Sequence, residues 1–313
     1  MNRYPSAQVL DVRGRLFLFD CGEGAQMQMR RMGIPYLRID SICISHIHGD
    51  HLFGLFGLLS TMTMLGRTAC LNIFAPRSFG PVLKFYLSYF GEGRKFEIGH
   101  HVLSMKSPEK IWESKSVELV AFPLNHRIET YGFIVREKPP MLNVRKDAIE
   151  KYGLTIAEIA SLKRGEDVVR PAGEDGGYGF ETGYRRFSGT SEPLLISAAE
   201  AAYVPYIPRS YAYCSDTAPF PELSSWVKGV SLLYHESTFP EQYSQTAADT
   251  CHSTASQAAQ CALQAGAGKL LLGHYSSRFS DTGIFLQEAS AIFPETVLAK
   301  EGMRIEIPLE RFK

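Results

Sequence analysis

The chain has 313 residues, is 45% hydrophobic and 21% charged, and carries no formal net charge. That is ordinary globular composition with apolar material for a large core, in one domain or two. Neutrality argues against broad attraction to nucleic acid or membrane, though it leaves room for a local basic patch. No apolar run approaches the ~20 residues of a membrane span, and "MNRYPSAQVL" lacks the apolar centre of a signal peptide.

Ser6 to Gly24 ("SAQVLDVRGRLFLFDCGEG") predicts a hairpin, two β-rich runs flanking Arg13-Gly14. "AQMQMRRMG" predicts a short helix stopped by Gly33. Arg38 to Ser45 predicts a strand running straight into His46. Next, "HLFGLFGLLSTMTML" places Leu52, Leu55, Phe56, Leu58 and Leu59 at helical spacing, a buried helix in spite of two glycines. Ser116 to Leu124 and "TYGFIVRE" predict paired strands with His126 between them.

From Glu137 to about Pro193 the character changes. Two prolines precede a helix-like "KDAIEKYGLTIAEIASLKRG". Eight basic residues stand against six acidic ones between Arg136 and Arg170, and the glycine-rich Pro171 to Gly183 reads as a flexible return. Residues 137–193 are therefore expected to be an inserted, protruding helical arm, with 1–136 and 194–313 as two parts of one main domain. The β pattern resumes with strands ending at Asp216, near His235 and at His274. Alternating strands and helices indicate an α/β fold, and no internal repeat is evident. Six scattered cysteines without a CxxC pair read as reduced thiols, which suits the cytosol.

The stretch "ISHIHGDHLFGL" puts three histidines and an aspartate within six residues. Each further ligand-type residue also follows a predicted strand: His126, Asp216 and His274. Strand ends are where α/β folds hold functional side chains. In extended backbone His46 and His48 point the same way and can share one ion. Asp50 and His51 fall after the turn into the helix and suit a second. Imidazole with carboxylate suits zinc, with manganese or iron as alternatives. The plainer alternative is a histidine-rich loop capped by Asp50.

"SHIHGDH", "DCGEGAQ", "NHRIETYGF", "YCSDT", "HEST", "HST" and "GHYSSRF" together resemble ribonuclease Z, the tRNA 3′-processing family of the metallo-β-lactamase superfamily. The resemblance spans nearly the whole chain. It implies an αββα metallo-β-lactamase sandwich with two zinc ions per chain. His46, His48 and His126 would hold the first, Asp50, His51 and His274 the second, and Asp216 would bridge both. Asp50 is implied as general base and His252 of "HST" as the general acid that protonates the leaving ribose 3′-oxygen. Glu236 of "HEST" is the carboxylate expected to orient His252. Ser253 or Thr254 would cap the following helix.

Ser276 and Arg278 are expected to contact phosphate. In the arm, Lys138, Arg145, Lys146, Lys163 and Arg164 would grip the RNA backbone without reading bases. The usual arm carries a Gly-Pro element near its tip, and "YGLTIAEIASLKRG" lacks it. The family also begins with a strand ahead of the part matching "NRYPSAQVL", so a first N-terminal strand is expected to be missing, exposing a sheet edge.

The function so implied is a zinc-dependent endoribonuclease that cuts the 3′ trailer from precursor tRNA, a cytoplasmic homodimer with no membrane association. Two alternatives stand beside it. One is a hydrolase of small phosphodiesters, thioesters or lactones, which would not need the arm. The other is a non-catalytic RNA-binding protein, which would require a missing ligand, and none is missing.

Overall fold

In the strand Arg15–Phe19, Leu16 and Leu18 point to one face and Phe17 and Phe19 to the other, as the two-residue period of a strand requires. Leu16 and Leu18 enter a core with Ile42, Ile73 and the helix residues Leu52, Leu55, Leu58, Leu59 and Met62. Phe17 and Phe19 enter a second core with Phe133, Tyr211, Tyr213 and Tyr234 from another sheet. That sheet's opposite face carries Ala212, Leu233 and Leu270 into a third core with the alanines of the helix Ala255–Ala265. Helices, sheet, sheet and helices thus stack as the expected αββα sandwich. Each fully buried leucine contributes about 1.5–3 kcal/mol by leaving water.

The computed structural model describes residues 3–172 and 192–312. Its five-stranded sheet runs Gln8–Val12, Arg15–Phe19, Ile39–Cys43, Leu71–Pro76, Ile98–Leu103, with Gln8–Val12 antiparallel to its neighbour and the others parallel. The seven-stranded sheet runs Thr296–Leu298, Leu270–Gly273, Leu232–Glu236, Ser210–Cys214, Tyr131–Glu137, Val117–Pro123, Glu109–Glu113. Its first four strands are parallel and the remainder antiparallel.

The helix Gly49–Met64 docks by its first turns on the loop after Phe19. Cys21 N donates to His51 O at 2.8 Å, and Gly54 N donates to Cys21 O at 2.9 Å. A Cβ on Gly54 would stand 2.0 Å from Gly22 O, so this glycine is required by close approach. The docking sets where Asp50 and His51 point. The helix Ala255–Ala265 starts at Thr254 with a reciprocal capping box to Gln257, placing its N-terminus two residues after His252.

By its internal contacts the chain forms two units, Met1–Glu137 with Arg209–Ile307 and Lys138–Pro208 with Pro308–Lys313. The second has its own small core of Ala148, Leu154, Leu162, Ile196, Ala198 and Ala201. The helix-like run divides at Gly153 (φ 54°) into Lys146–Tyr152 and Ile156–Lys163. The return lies beyond the 193 boundary read from the sequence. Leu194–Ile196 pairs with Val168–Arg170 and Ala202–Tyr203 with Asn143–Val144, which ties residues up to Pro208 into this unit. These strands are two or three residues long, too short to carry a periodic pattern. Most of the glycine-rich stretch, residues 173–183, lies outside the described residues.

Candidate metal centre

Five of the seven ligand-type residues sit just past the C-terminal end of a strand, and Asp50 and His51 lie in the first turn of the helix Gly49–Met64. His46 and His48 follow Ile39–Cys43, His126 follows Val117–Pro123, Asp216 follows Ser210–Cys214 and His274 follows Leu270–Gly273. Folding brings all seven together. His46, His48, His126 and Asp216 form one group of possible ligand atoms within 4.8 Å of one another, and Asp50, His51 and His274 form a second. Asp216 faces both groups with different oxygens. Its Oδ2 lies 3.7 Å from His46 Nε2 and 3.9 Å from His126 Nε2. Its Oδ1 lies 3.5 Å from His51 Nε2 and 3.3 Å from His274 Nε2. Asp50 Oδ2 stands 3.6 Å from both His51 Nε2 and His274 Nε2. The helix cap alternative for Asp50 does not form: His48 occupies the cap position and no side chain caps the helix.

These separations suit a shared cation better than hydrogen bonds. Two atoms each about 2.1 Å from a tetrahedral ion stand about 3.4 Å apart. The proton inventory agrees. His51 Nδ1 donates to Asp20 Oδ2 (2.7 Å), His126 Nδ1 to the Cys251 carbonyl (2.9 Å), and His46 Nδ1 to Ser45 Oγ (2.9 Å), whose own proton goes to Asp20 Oδ2 (2.8 Å). Each of these rings turns a bare Nε2 inward, while His48 turns Nδ1 inward, 3.0 Å from His46 Nε2. His126 Nε2 and Asp216 Oδ1 are buried without a hydrogen-bond partner, an expensive state for polar atoms unless an ion satisfies them. The residues present therefore fit divalent metal.

Burial opposes charge throughout. It pushes His46 down to about 2, with the neighbouring His51 adding to the effect, and it lowers His126. It also acts to lower His51 and His274, but Asp216 beside both, helped by Asp20 at His51, overrides burial and raises them. Burial acts to raise Asp216, and the charges of His274 and His51 outweigh it and hold Asp216 well below the carboxylate range. Asp50 is lowered too, the burial that acts to raise it overcome by neighbouring His274 and by the charge of His51. A cation here competes with the protons on His51 and His274, so its uptake releases them and weakens as pH falls.

His252 stands beside the cluster. Its Nδ1 donates to Glu236 Oε1 at 2.9 Å, and its ring stacks on His274 with centroids 5.5 Å apart. Asp216, His252 and His274 would also pass as a ligand group, but Glu236 already engages His252. His235, one residue earlier, donates Nδ1 to the Glu236 carbonyl and joins none of the groups. Ser276 is half-buried and donates its backbone N–H to Thr238 O, while Arg278 is exposed.

In the second unit Arg145 and Lys146 are exposed, and Arg145 lies 5.5 Å from the Tyr203 ring centre. Lys138 and Lys163 are half-buried. Arg164 is exposed and held by Glu166 at 2.7 Å.

Asp20, Ser45 and Thr238 were not singled out from the sequence. Asp20 is fully buried and accepts from Ser45 N, Ser45 Oγ, His51 Nδ1 and Tyr213 OH, all within 2.8 Å. It thus orients His51 directly and His46 through Ser45. Its signal was available: it follows "RLFLF" as the other ligand-type residues follow their strands.

A family model described as Anti-Pycsar protein Apyc1 matches residues 1–138. A ribonuclease Z of Bacteroides thetaiotaomicron is 40% identical over 304 residues, covering 97% of this chain and 90% of the relative. A ribonuclease Z of Cytophaga hutchinsonii is 40% identical over 300 residues, covering 96% and 90%. Among solved structures, the short form of human tRNase Z superposes with a TM-score of 0.67 at 24% identity, covering 98% of this chain and 94% of the other. The metallo-β-lactamase fold protein YhfI of Bacillus subtilis gives 0.62 at 16% identity, covering 96% and 91%. At such identities the two structures bear on the fold alone.

Proposed function

The chain belongs to the ribonuclease Z family, and on that premise we propose that it removes the 3′ trailer of precursor tRNA with two zinc ions, leaving a 3′-hydroxyl. It is a hydrolase, a tRNA 3′-endonuclease of the metallo-β-lactamase fold. The observation that carries the finer reading is Asp216, whose two oxygens face two separate histidine groups. His46, His48 and His126 would hold one ion, Asp50, His51 and His274 the other, with Asp216 between them. Bound there, the ions would lower the pKa of water and offset charge growing on the phosphoryl group.

The chain's own residues supply the proton transfers. Asp50 is exposed enough to meet solvent at the cluster's rim and takes the proton of the attacking water as general base. A ribose 3′-oxygen is a poor leaving group and needs a proton, which His252 delivers. Glu236, fully buried, engages His252 Nδ1 and fixes the ring. Ser276 and Arg278, just past His274, contact phosphate near the cut. Lys138, Arg145, Lys146, Lys163 and Arg164 contact the tRNA backbone elsewhere.

The reading places the enzyme in the cytoplasm, where precursor tRNA is processed; six free cysteines are consistent with that. No helix of the described residues is long and apolar enough to cross a membrane. We read the exposed aromatic cluster of Phe85, Tyr89 and Phe90 as the seat of a second copy. Light scattering that reads twice the chain mass supports the homodimer, and a single chain mass at micromolar concentration refutes it.

The deciding experiment is incubation with 3′-extended tRNA, with and without a chelator, followed by product sequencing. Cleavage at the 3′ end of the acceptor stem should need metal. His252→Ala should slow it by roughly 10²- to 10⁴-fold, yet spare bis(p-nitrophenyl) phosphate, whose leaving group needs no proton. Equal losses on both substrates would remove His252 from the acid role.

A further inference from the structure

Glu236 touches both halves of the site. Its Oε1 accepts from His252 Nδ1 (2.9 Å), Ser253 N (2.8 Å) and Thr217 N (3.2 Å). Its Oε2 accepts from Thr238 N and Thr238 Oγ1, both at 2.8 Å. A threonine hydroxyl has one proton and an ionised carboxylate can only accept, so that proton is committed to Glu236. The same hydroxyl oxygen lies 3.0 Å from His274 Nδ1, where it can then only accept. His274 must therefore carry its proton on Nδ1 and present a bare Nε2 to Asp216 and Asp50. The hydroxyl is also 3.2 Å from His252 Nδ1, but Glu236 Oε1 is the nearer acceptor there.

His274 needs such a hold. Its backbone sits at φ 60°, a left-handed conformation that a non-glycine residue keeps only when its surroundings impose it. The surroundings are again Thr238, whose carbonyl accepts from Ser276 N at 3.0 Å and closes the loop around His274.

We propose that Thr238 is a positioning residue whose hydroxyl relays Glu236 to His274. One buried carboxylate then orients the proton donor through Oε1 and a metal ligand through Oε2. This role rests on His274 being a metal ligand. It repeats the pattern at Asp20, which reaches His51 directly and His46 through the Ser45 hydroxyl.

The test compares Thr238→Val, which keeps the shape and removes the hydroxyl, with Thr238→Ser, which keeps the hydroxyl. Zinc binding to metal-stripped protein is titrated against a chromogenic chelator, and turnover is measured on 3′-extended tRNA and on bis(p-nitrophenyl) phosphate. The valine variant should bind its second zinc roughly 10- to 100-fold more weakly, the usual cost of losing a ligand's supporting hydrogen bond, with the first little changed. Its turnover should fall on both substrates together, and serine should restore both properties. Unchanged zinc affinity in the valine variant overturns the relay. So does a loss confined to tRNA, which would tie Thr238 to His252 alone. Wild-type protein that takes up no zinc overturns the metal reading beneath it, a result distinct from an unaffected variant. Melting of the metal-free proteins checks the fold, and Thr238→Ala takes the place of valine if that variant does not fold.

Discussion

The metal centre and the second unit handle charge in opposite ways. At the centre the charged and polar groups are mostly buried, and four rings each have one nitrogen held by an assigned neighbour: Asp20 for His51, Ser45 for His46, the Cys251 carbonyl for His126, Glu236 for His252. In the second unit the basic groups are mainly at the surface, where Arg164 leans on Glu166 of the same unit. Buried pairs cost several kcal/mol to break because the remaining charge has no water to turn to. Exposed pairs are worth about 0–1 kcal/mol and exchange partners readily. A site that must hold ions in one geometry uses the first arrangement. In the proposed role the second unit's surface can use the other arrangement to meet a polyanion, since Arg164 can leave Glu166 for a phosphate at little loss.

That contrast predicts a graded set of effects. Asp216→Ala should be the most severe, because it takes a ligand from both histidine groups. Losing several kcal/mol of charge stabilisation should lower turnover by roughly 10³- to 10⁵-fold. Metal analysis should find fewer than two ions per chain. A variant that keeps two tightly held ions would show that Asp216 is not shared.

Asp20→Asn should come next. The amide puts N–H groups against donors from His51, Ser45 and Tyr213, so His51 loses its acceptor and the tautomer that presents Nε2 is no longer favoured. Metal affinity should fall roughly 10- to 100-fold at both equivalents, read by chelator competition, since Asp20 holds His51 directly and His46 through Ser45. Unchanged affinity would show that Asp20 does not set these rings.

Reversing charge at Arg145 and Lys146 together should have the smallest effect. The KM for tRNA should rise by about tenfold or less, most at low salt, with kcat on bis(p-nitrophenyl) phosphate unchanged, because exposed charges steer and hold without touching the chemistry. A fall in kcat on the small substrate would break the comparison, since these residues would then matter to the centre itself.

The proposed ligand residues were legible because the chemistry writes itself into local order. A strand followed at once by histidine or aspartate recurs at His46, His126, Asp216 and His274, and each such run needs no knowledge of its partners. The helix after His48 was readable by the spacing of Leu52, Leu55, Leu58 and Leu59. Gly54, which looked like a weak point in that helix, is where it meets the Cys21–Gly22 loop. The arm's extent was not legible, because the pairs that close it, such as Leu194 with Arg170, join residues on either side of a long connection.

By itself the chain's order of residues determined which side chains could bind metal, that His46 and His48 part from Asp50 and His51, and that an α/β frame would hold them, since each of these depends on neighbours within a few positions; the places of His126, His274 and Asp216 in the two sets came from the family resemblance. Only the tertiary structure decided which hydrogen each imidazole carries and what holds it there. Asp20 reaches His51 across 31 positions, and Thr238 reaches His274 across 36. Hydrogen bonds form between atoms brought within about 3 Å, and that proximity exists only after the two sheets have closed on their shared core.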